Sequence, residues 1–150
     1  MIRSVIIACW VVLATTIGLA IEAPHKGVPY GNGDAPSTIP QEPTKSVKAG
    51  VYTAAQAGRG EEAFRSKCAS CHAPNRFTDD LFYMSFADKP LWEMYDVISD
   101  TMPEDNPGSL KPQEYADVIT YLLKLNKFPE GQDELPPTKE VLSTIKMEKP

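Results

Sequence analysis

The sequence predicts an all-α domain organised about one short turn, and three observations predict it. Apolar residues recur at i, i+3, i+4 and i+7 in Leu91, Met94, Tyr95 and Ile98, and again in Tyr115, Val118, Ile119 and Leu122. No stretch shows the alternation expected of strands, and there is no internal repeat. The third observation is the turn itself, Cys68-Ala69-Ser70-Cys71-His72, a C-x-x-C-H run. Two thiols on one turn can add across the two vinyl groups of a porphyrin, and the histidine that follows is then held beneath the iron. The motif therefore predicts one covalently bound haem c, with Cys68 and Cys71 as thioether donors and His72 as an axial iron ligand.

The 150 residues fit one domain with extensions. Formal charge is −5, of which residues 50–150 carry −6 against +1 for residues 1–49. An acidic domain excludes the basic footprint of a nucleic-acid binder.

Residues 1–21 hold one charge, Arg3, before an uncharged, mostly apolar run from Val5 to Ile21. With small residues at Gly18 and Ala20, this reads as a secretory signal cleaved near Ala20 or Ala23. An N-terminal membrane anchor is the competing reading, because about 17 apolar residues lie at the lower limit for crossing a bilayer. Both imply export to the periplasm. Cys9 is a poor lipid-attachment site, since the apolar run follows it. Residues 22–50 are rich in proline and glycine and poor in large apolar residues, the composition of a flexible linker. His25, in this segment, reads as solvated.

The folded domain is expected over residues 51–150. Thr53 is the expected N-cap of a helix over residues 54–67 that delivers the chain into Cys68. Gly60 and Phe64 share one face of it. A glycine inside a helix costs about 1 kcal/mol relative to alanine, which predicts close contact with a second helix at Gly60. Residues 73–87 show no sustained period and read as a loop, yet they include Phe77, Leu81, Phe82, Tyr83, Met84 and Phe86, enough apolar surface to cover a porphyrin face. Asp88 is the expected cap of a helix over residues 91–99, with Pro90 in its first turn. Pro112 opens a third helix over residues 113–126, and one or two last helical turns are expected over residues 139–145.

Three chemistries compete for the motif. Beyond the leader the chain has no cysteine besides Cys68 and Cys71, so a structural zinc site is short of a ligand. A thioredoxin-like pair wants a βαβ setting that this pattern lacks. With no second histidine in the domain, the candidates for a sixth iron ligand are the thioethers of Met84, Met94, Met102 and Met147. Met94 falls on the core stripe and Met84 in the aromatic loop, where it reads as haem wall. Met102, just past a helix end and followed by Pro103, is placed ahead of both and of Met147. His72 is expected to donate its other ring N–H to a backbone carbonyl of the following loop. Tyr83, Trp92 and Arg76 are candidate donors to the haem propionates, each with a packing or surface explanation equally good.

The order of a helix with Gly60 and Phe64, then CASCH, a loop, a helix ending in Thr101-Met102-Pro103, Pro107-Gly108 and a last helix with Tyr121 resembles class I c-type cytochromes over residues 51–145. Within them it is similar to the small single-haem kind associated with periplasmic, particularly quinoprotein, dehydrogenases. The resemblance implies three main helices around one haem, with loops covering it. It also implies contact of Gly60 with the last helix near Tyr121, and His72 and Met102 as the axial pair. The function implied is an electron carrier between a dehydrogenase and an oxidase or another cytochrome, with no enzymatic step of its own. A five-coordinate haem enzyme or gas sensor, and a docking subunit of a larger respiratory complex, remain the alternatives.

Overall fold

The computed structural model describes residues 43–150. Residues 1–42, and with them the expected signal or anchor, Cys9, His25 and most of the linker, lie outside the described residues. Among the described residues five α-helices follow one another: α1 (Ala54–Lys67), α2 (Asp80–Phe86), α3 (Leu91–Thr101), α4 (Pro112–Leu125) and α5 (Lys139–Leu142). Short 3-10 turns occupy Val47–Ala49 and Pro74–Phe77. None of the helices among the described residues is long and apolar enough to cross a membrane.

α1 begins where Thr53 accepts a hydrogen bond from the Gln56 N–H at 3.2 Å, the expected cap. Its buried face is Gln56, Ala57, Gly60 and Phe64, and this face lies against α4. At Gly60 the two backbones touch: a Cβ there would stand 1.8 Å from the Asp117 carbonyl oxygen and 3.1 Å from the Tyr121 Cβ. Phe64 then meets the Tyr121 ring at 5.2 Å. α4 is buried almost all round, from Tyr115 to Leu123, as expected of a helix covered on several sides. α3 contributes the stripe of Leu91, Met94 and Tyr95 to the same core.

The tail returns to close the side of the domain where α1 begins. Gln56 donates from Nε2 to the Leu135 carbonyl at 2.9 Å and accepts the Leu135 N–H at 2.7 Å, standing in for a strand neighbour. Tyr52 donates to the Phe128 carbonyl at 2.7 Å. Arg59 spans from Asp117, at 3.0 Å, to Glu134, at 2.8 Å. These two carboxylates hold the guanidinium's pKa above its ordinary value. Asp117, almost buried, also accepts from Gln113 Nε2 at 2.9 Å, so a charge on α4 is neutralised from α1 and tied to the tail.

Four expectations change. The packed chain starts before Val51: Val47 is fully buried, and Lys45–Ser46 (β1) pairs in parallel with Ile145–Lys146 (β2). Two residues per strand are too few for alternation to register. Residues 73–87 are not a loop throughout, since Asp79 caps α2 by accepting the Phe82 N–H at 2.9 Å. Seven residues hold too few turns to display a period. Asp88 does not cap α3, whose N-cap is Pro90. Asp88 instead turns the chain at φ 66° and pairs with Lys146 at 2.9 Å. The last helical turn ends at Leu142 rather than Ile145, because Ile145 is taken by β2.

Two glycines of α1 should respond oppositely to a methyl group. Gly60→Ala is expected to destabilise by about 1–3 kcal/mol or more, because backbone rather than a movable side chain meets the new atom. Gly58, with nothing within 4 Å of its would-be Cβ, should gain up to about 1 kcal/mol on the same change. Thermal unfolding separates the two, and equal shifts would contradict the packing. Burial also pushes the phenols of Tyr52, Tyr83, Tyr95 and Tyr121 above their ordinary value of 10.0. The unfolded chain then loses these protons first, so their stabilisation is whole below pH 10 and falls as pH rises through the folded values. Alkaline titration should show most phenolate absorbance appearing together with loss of helical circular dichroism. Early phenolate formation in an intact fold would contradict this.

Candidate functional site

α1 ends by feeding the motif. The N–H groups of Cys68 and Ala69 both bond the Phe64 carbonyl, at 2.8 and 2.9 Å. The chain then folds back on Cys68, whose carbonyl accepts from Cys71 at 3.1 Å and from His72 at 2.9 Å. The turn thus carries both thiols and the imidazole on a few residues fastened to a helix end. Both thiols are free, Cys71 exposed and Cys68 half-buried, and burial pushes the Cys68 pKa up.

This turn forms one side of a cleft of about 1030 Å³, at the upper end of the ~300–1,000 Å³ usual for a ligand or cofactor pocket. Met102 lines the same cleft, as do Cys68, Cys71 and His72. Met102 follows α3 directly, with its N–H bonded to the Ile98 carbonyl at 2.9 Å. Phe64, Phe77, Phe82 and Phe86 supply aromatic wall, and Ile98, Val118 and Leu122 supply aliphatic wall. Successive rings meet edge to face or tilted: Phe64 and Phe77 at 5.6 Å, Phe77 and Phe82 at 6.1 Å, Phe82 and Phe86 at 5.5 Å. The His72 ring stands edge-on to Phe77 at 5.7 Å. Among the described residues its expected bond to a loop carbonyl is not formed. Lys67 and Arg76 on one hand, Glu104 and Asp105 on the other, give the mouth charges of both signs.

The wall segment is anchored from α4. Asn126, buried just past the helix, donates to the Phe77 carbonyl at 2.8 Å and to the Leu122 carbonyl at 2.8 Å, while accepting from the Tyr83 hydroxyl. Its amide is therefore satisfied on both ends, and the aromatic wall is fixed to the helix that backs the cleft. A polar residue closing an apolar helix was visible in the sequence; its partner 49 positions earlier was not.

The methionines separate by position. Met94 and Met147 are each 1% exposed in the core, away from the cleft. Met84 is 76% exposed and does not line the cleft, contrary to the expectation that it forms haem wall. Leu81, 68% exposed, points the same way. α2 turns Phe82, Tyr83 and Phe86 inward, which leaves Leu81 and Met84 on its outer face. Of the propionate candidates, Arg76 lines the cleft, whereas Tyr83 serves Asn126 and Trp92 stacks on Tyr95 at 5.3 Å under the Lys139 ammonium.

A largely apolar cleft lined by two thiols, an imidazole and a thioether fits an iron porphyrin in size, polarity and donor set. Residues 55–122 match the sequence model of the family described as cytochrome c oxidase, cbb3-type, subunit III. Neither a curated protein nor a solved structure matches the chain.

Met94→Ala should cost about 2–5 kcal/mol through the cavity it leaves. Met84→Ala should change stability by no more than about 0.5 kcal/mol. Denaturant midpoints check both, and a large loss at Met84 would put that side chain in the packed interior.

Proposed function

We propose, from the premise that residues 55–122 are a class I c-type cytochrome domain, that this protein is a single-haem carrier of electrons between a periplasmic dehydrogenase and a respiratory acceptor. The observation that carries the reading is the convergence of Cys68, Cys71, His72 and Met102 on one apolar cleft. The haem supplies a reversible one-electron iron couple. Cys68 and Cys71 would hold it through two thioether bonds, formed by adding each S–H across a vinyl group with nothing lost. His72 and Met102 would be the residues that ligate its iron. The soft thioether favours ferrous iron and raises the potential. With His72 and Met102 both engaged, substrate would not bind at the iron, and the side chains would have only to keep their places while the charge changes.

Phe77, Phe82 and Phe86 exclude water from the slot and keep the local dielectric low, which limits the reorganisation that accompanies each transfer. Export, followed by release or by retention on an N-terminal anchor, would place the domain in the periplasm. An oxidase or another cytochrome would serve as acceptor. The description of the matched family as an oxidase subunit favours a second reading, a docking subunit held within a larger respiratory complex. Isolation from the native membrane and periplasm with whatever accompanies the protein distinguishes the two.

Material made in a host competent for cytochrome maturation should weigh one haem more than the polypeptide, and the bare polypeptide mass would refute the proposal. The oxidised protein should show a sulfur-to-iron charge-transfer band. Met102→Ala should abolish that band and open the reduced iron to carbon monoxide. It should also lower the potential by on the order of 0.1 V, a fraction of the ~0.8 V that axial ligation spans. An unchanged spectrum and potential would move the sixth ligand elsewhere, and carbon monoxide binding to the unaltered reduced protein would favour a five-coordinate enzyme or sensor.

A further inference from the structure

We propose that Tyr115 is the positioning residue for Met102, a role that rests on the reading of Met102 as sixth ligand. Tyr115 is 3% exposed on the first turns of α4. Its hydroxyl donates to the Met102 carbonyl at 2.8 Å and accepts the Leu110 N–H at 3.3 Å. One phenol oxygen therefore closes both ends of the segment from Met102 to Leu110. Between those ends residues 104–109 are exposed. The backbone bonds of this loop, Asn106 N–H to Pro103 at 2.9 Å and Ser109 N–H to Asn106 at 3.3 Å, are internal to it. They shape the loop without fastening it to the core.

Met102 is thus gripped through its backbone from two helices. Its N–H is held by the last turn of α3, and its carbonyl by the phenol on α4. The phenol itself is rigidly placed. Its ring packs against Tyr95 at 6.1 Å, and α4 is started firmly by the Lys111 N–H bonding the Glu114 carboxylate at 2.8 Å. A thioether bond to iron is soft and exchangeable, so the fraction of time the sulfur spends on the metal depends on how narrowly its backbone is confined. A phenylalanine at 115 would keep the ring contacts and lose both bonds. A residue serving only the core would scarcely register that change at the iron.

The test compares the haem-loaded full chain with its Tyr115→Phe variant by titrating the oxidised form with imidazole, which binds where sulfur has left. Losing one to two hydrogen bonds should raise the methionine-off population, and with it the apparent imidazole affinity, by about 3- to 10-fold. The potential should fall, with helix content unchanged. Tyr95→Phe, whose hydroxyl makes a long 3.4 Å contact to the Pro112 carbonyl, should leave both readings in place. Unaltered imidazole affinity and potential in Tyr115→Phe, alongside large changes in Met102→Ala, would overturn the positioning role alone. No change in Met102→Ala would overturn the ligand reading beneath it. Should Tyr115→Phe fail to mature, amide exchange in the unaltered protein decides: slow exchange at Leu110 relative to Glu104 and Asp105 supports the tie, and equal rates overturn it.

Discussion

Among the described glycines, the tightest approach is the touch of two backbones where α1 crosses α4 at Gly60. No side chain can be inserted there without moving the Asp117 peptide. That approach sets the depth at which Phe64 meets Tyr121, and Phe64 is the residue whose carbonyl receives the first two N–H groups of the Cys68–His72 turn. The site is therefore referenced to the helix crossing through a rigid helix end. An added methyl at residue 60 would be felt at Cys68 through two turns of α1.

α4 acts as the common support. Its inner surface backs the cleft through Val118 and Leu122, its first turns carry Tyr115, and its end carries Asn126. One tie fastens the chain next to Met102, and the other fastens the aromatic segment next to His72. Both are part-buried hydrogen bonds, one spanning 13 residues of sequence and the other 49. Such bonds contribute modestly when made and cost about 1–3 kcal/mol when one partner is left unpaired. Every buried side-chain nitrogen and oxygen among the described residues has a partner. The polar groups thus specify one arrangement of an otherwise apolar slot, whose walls would accept several.

Charge is distributed differently from packing. An ion network of Arg59 with Asp117 and Glu134 lies on the α1–α4–tail side and binds the C-terminal segment to the core. At the mouth of the cleft, Lys67 and Arg76 face an opening that also carries Glu104 and Asp105. Residues 50–150 carry a charge of −6 overall. A partner approaching from a distance meets a negative field, while close contact at the mouth is decided by charges of both signs.

Local chemistry was legible without coordinates. The C-x-x-C-H spacing, the Thr53 cap, the stripes of α3 and α4 and the meaning of an interior glycine at residue 60 all depend on residues within a few positions of one another. The tertiary structure alone decided what depends on long loops closing. It brought Met102 into the cleft with the motif, sent Met84 outward, turned a supposed linker end into β1, and paired Tyr115 with Met102 and Asn126 with Phe77. A tyrosine in an apolar stripe, or an asparagine at a helix end, reads the same in sequence whatever its hydroxyl or amide finally meets. Periodicity specifies which face of an element is buried, whereas the partner across that face is set by how the other elements pack, and no local pattern encodes it.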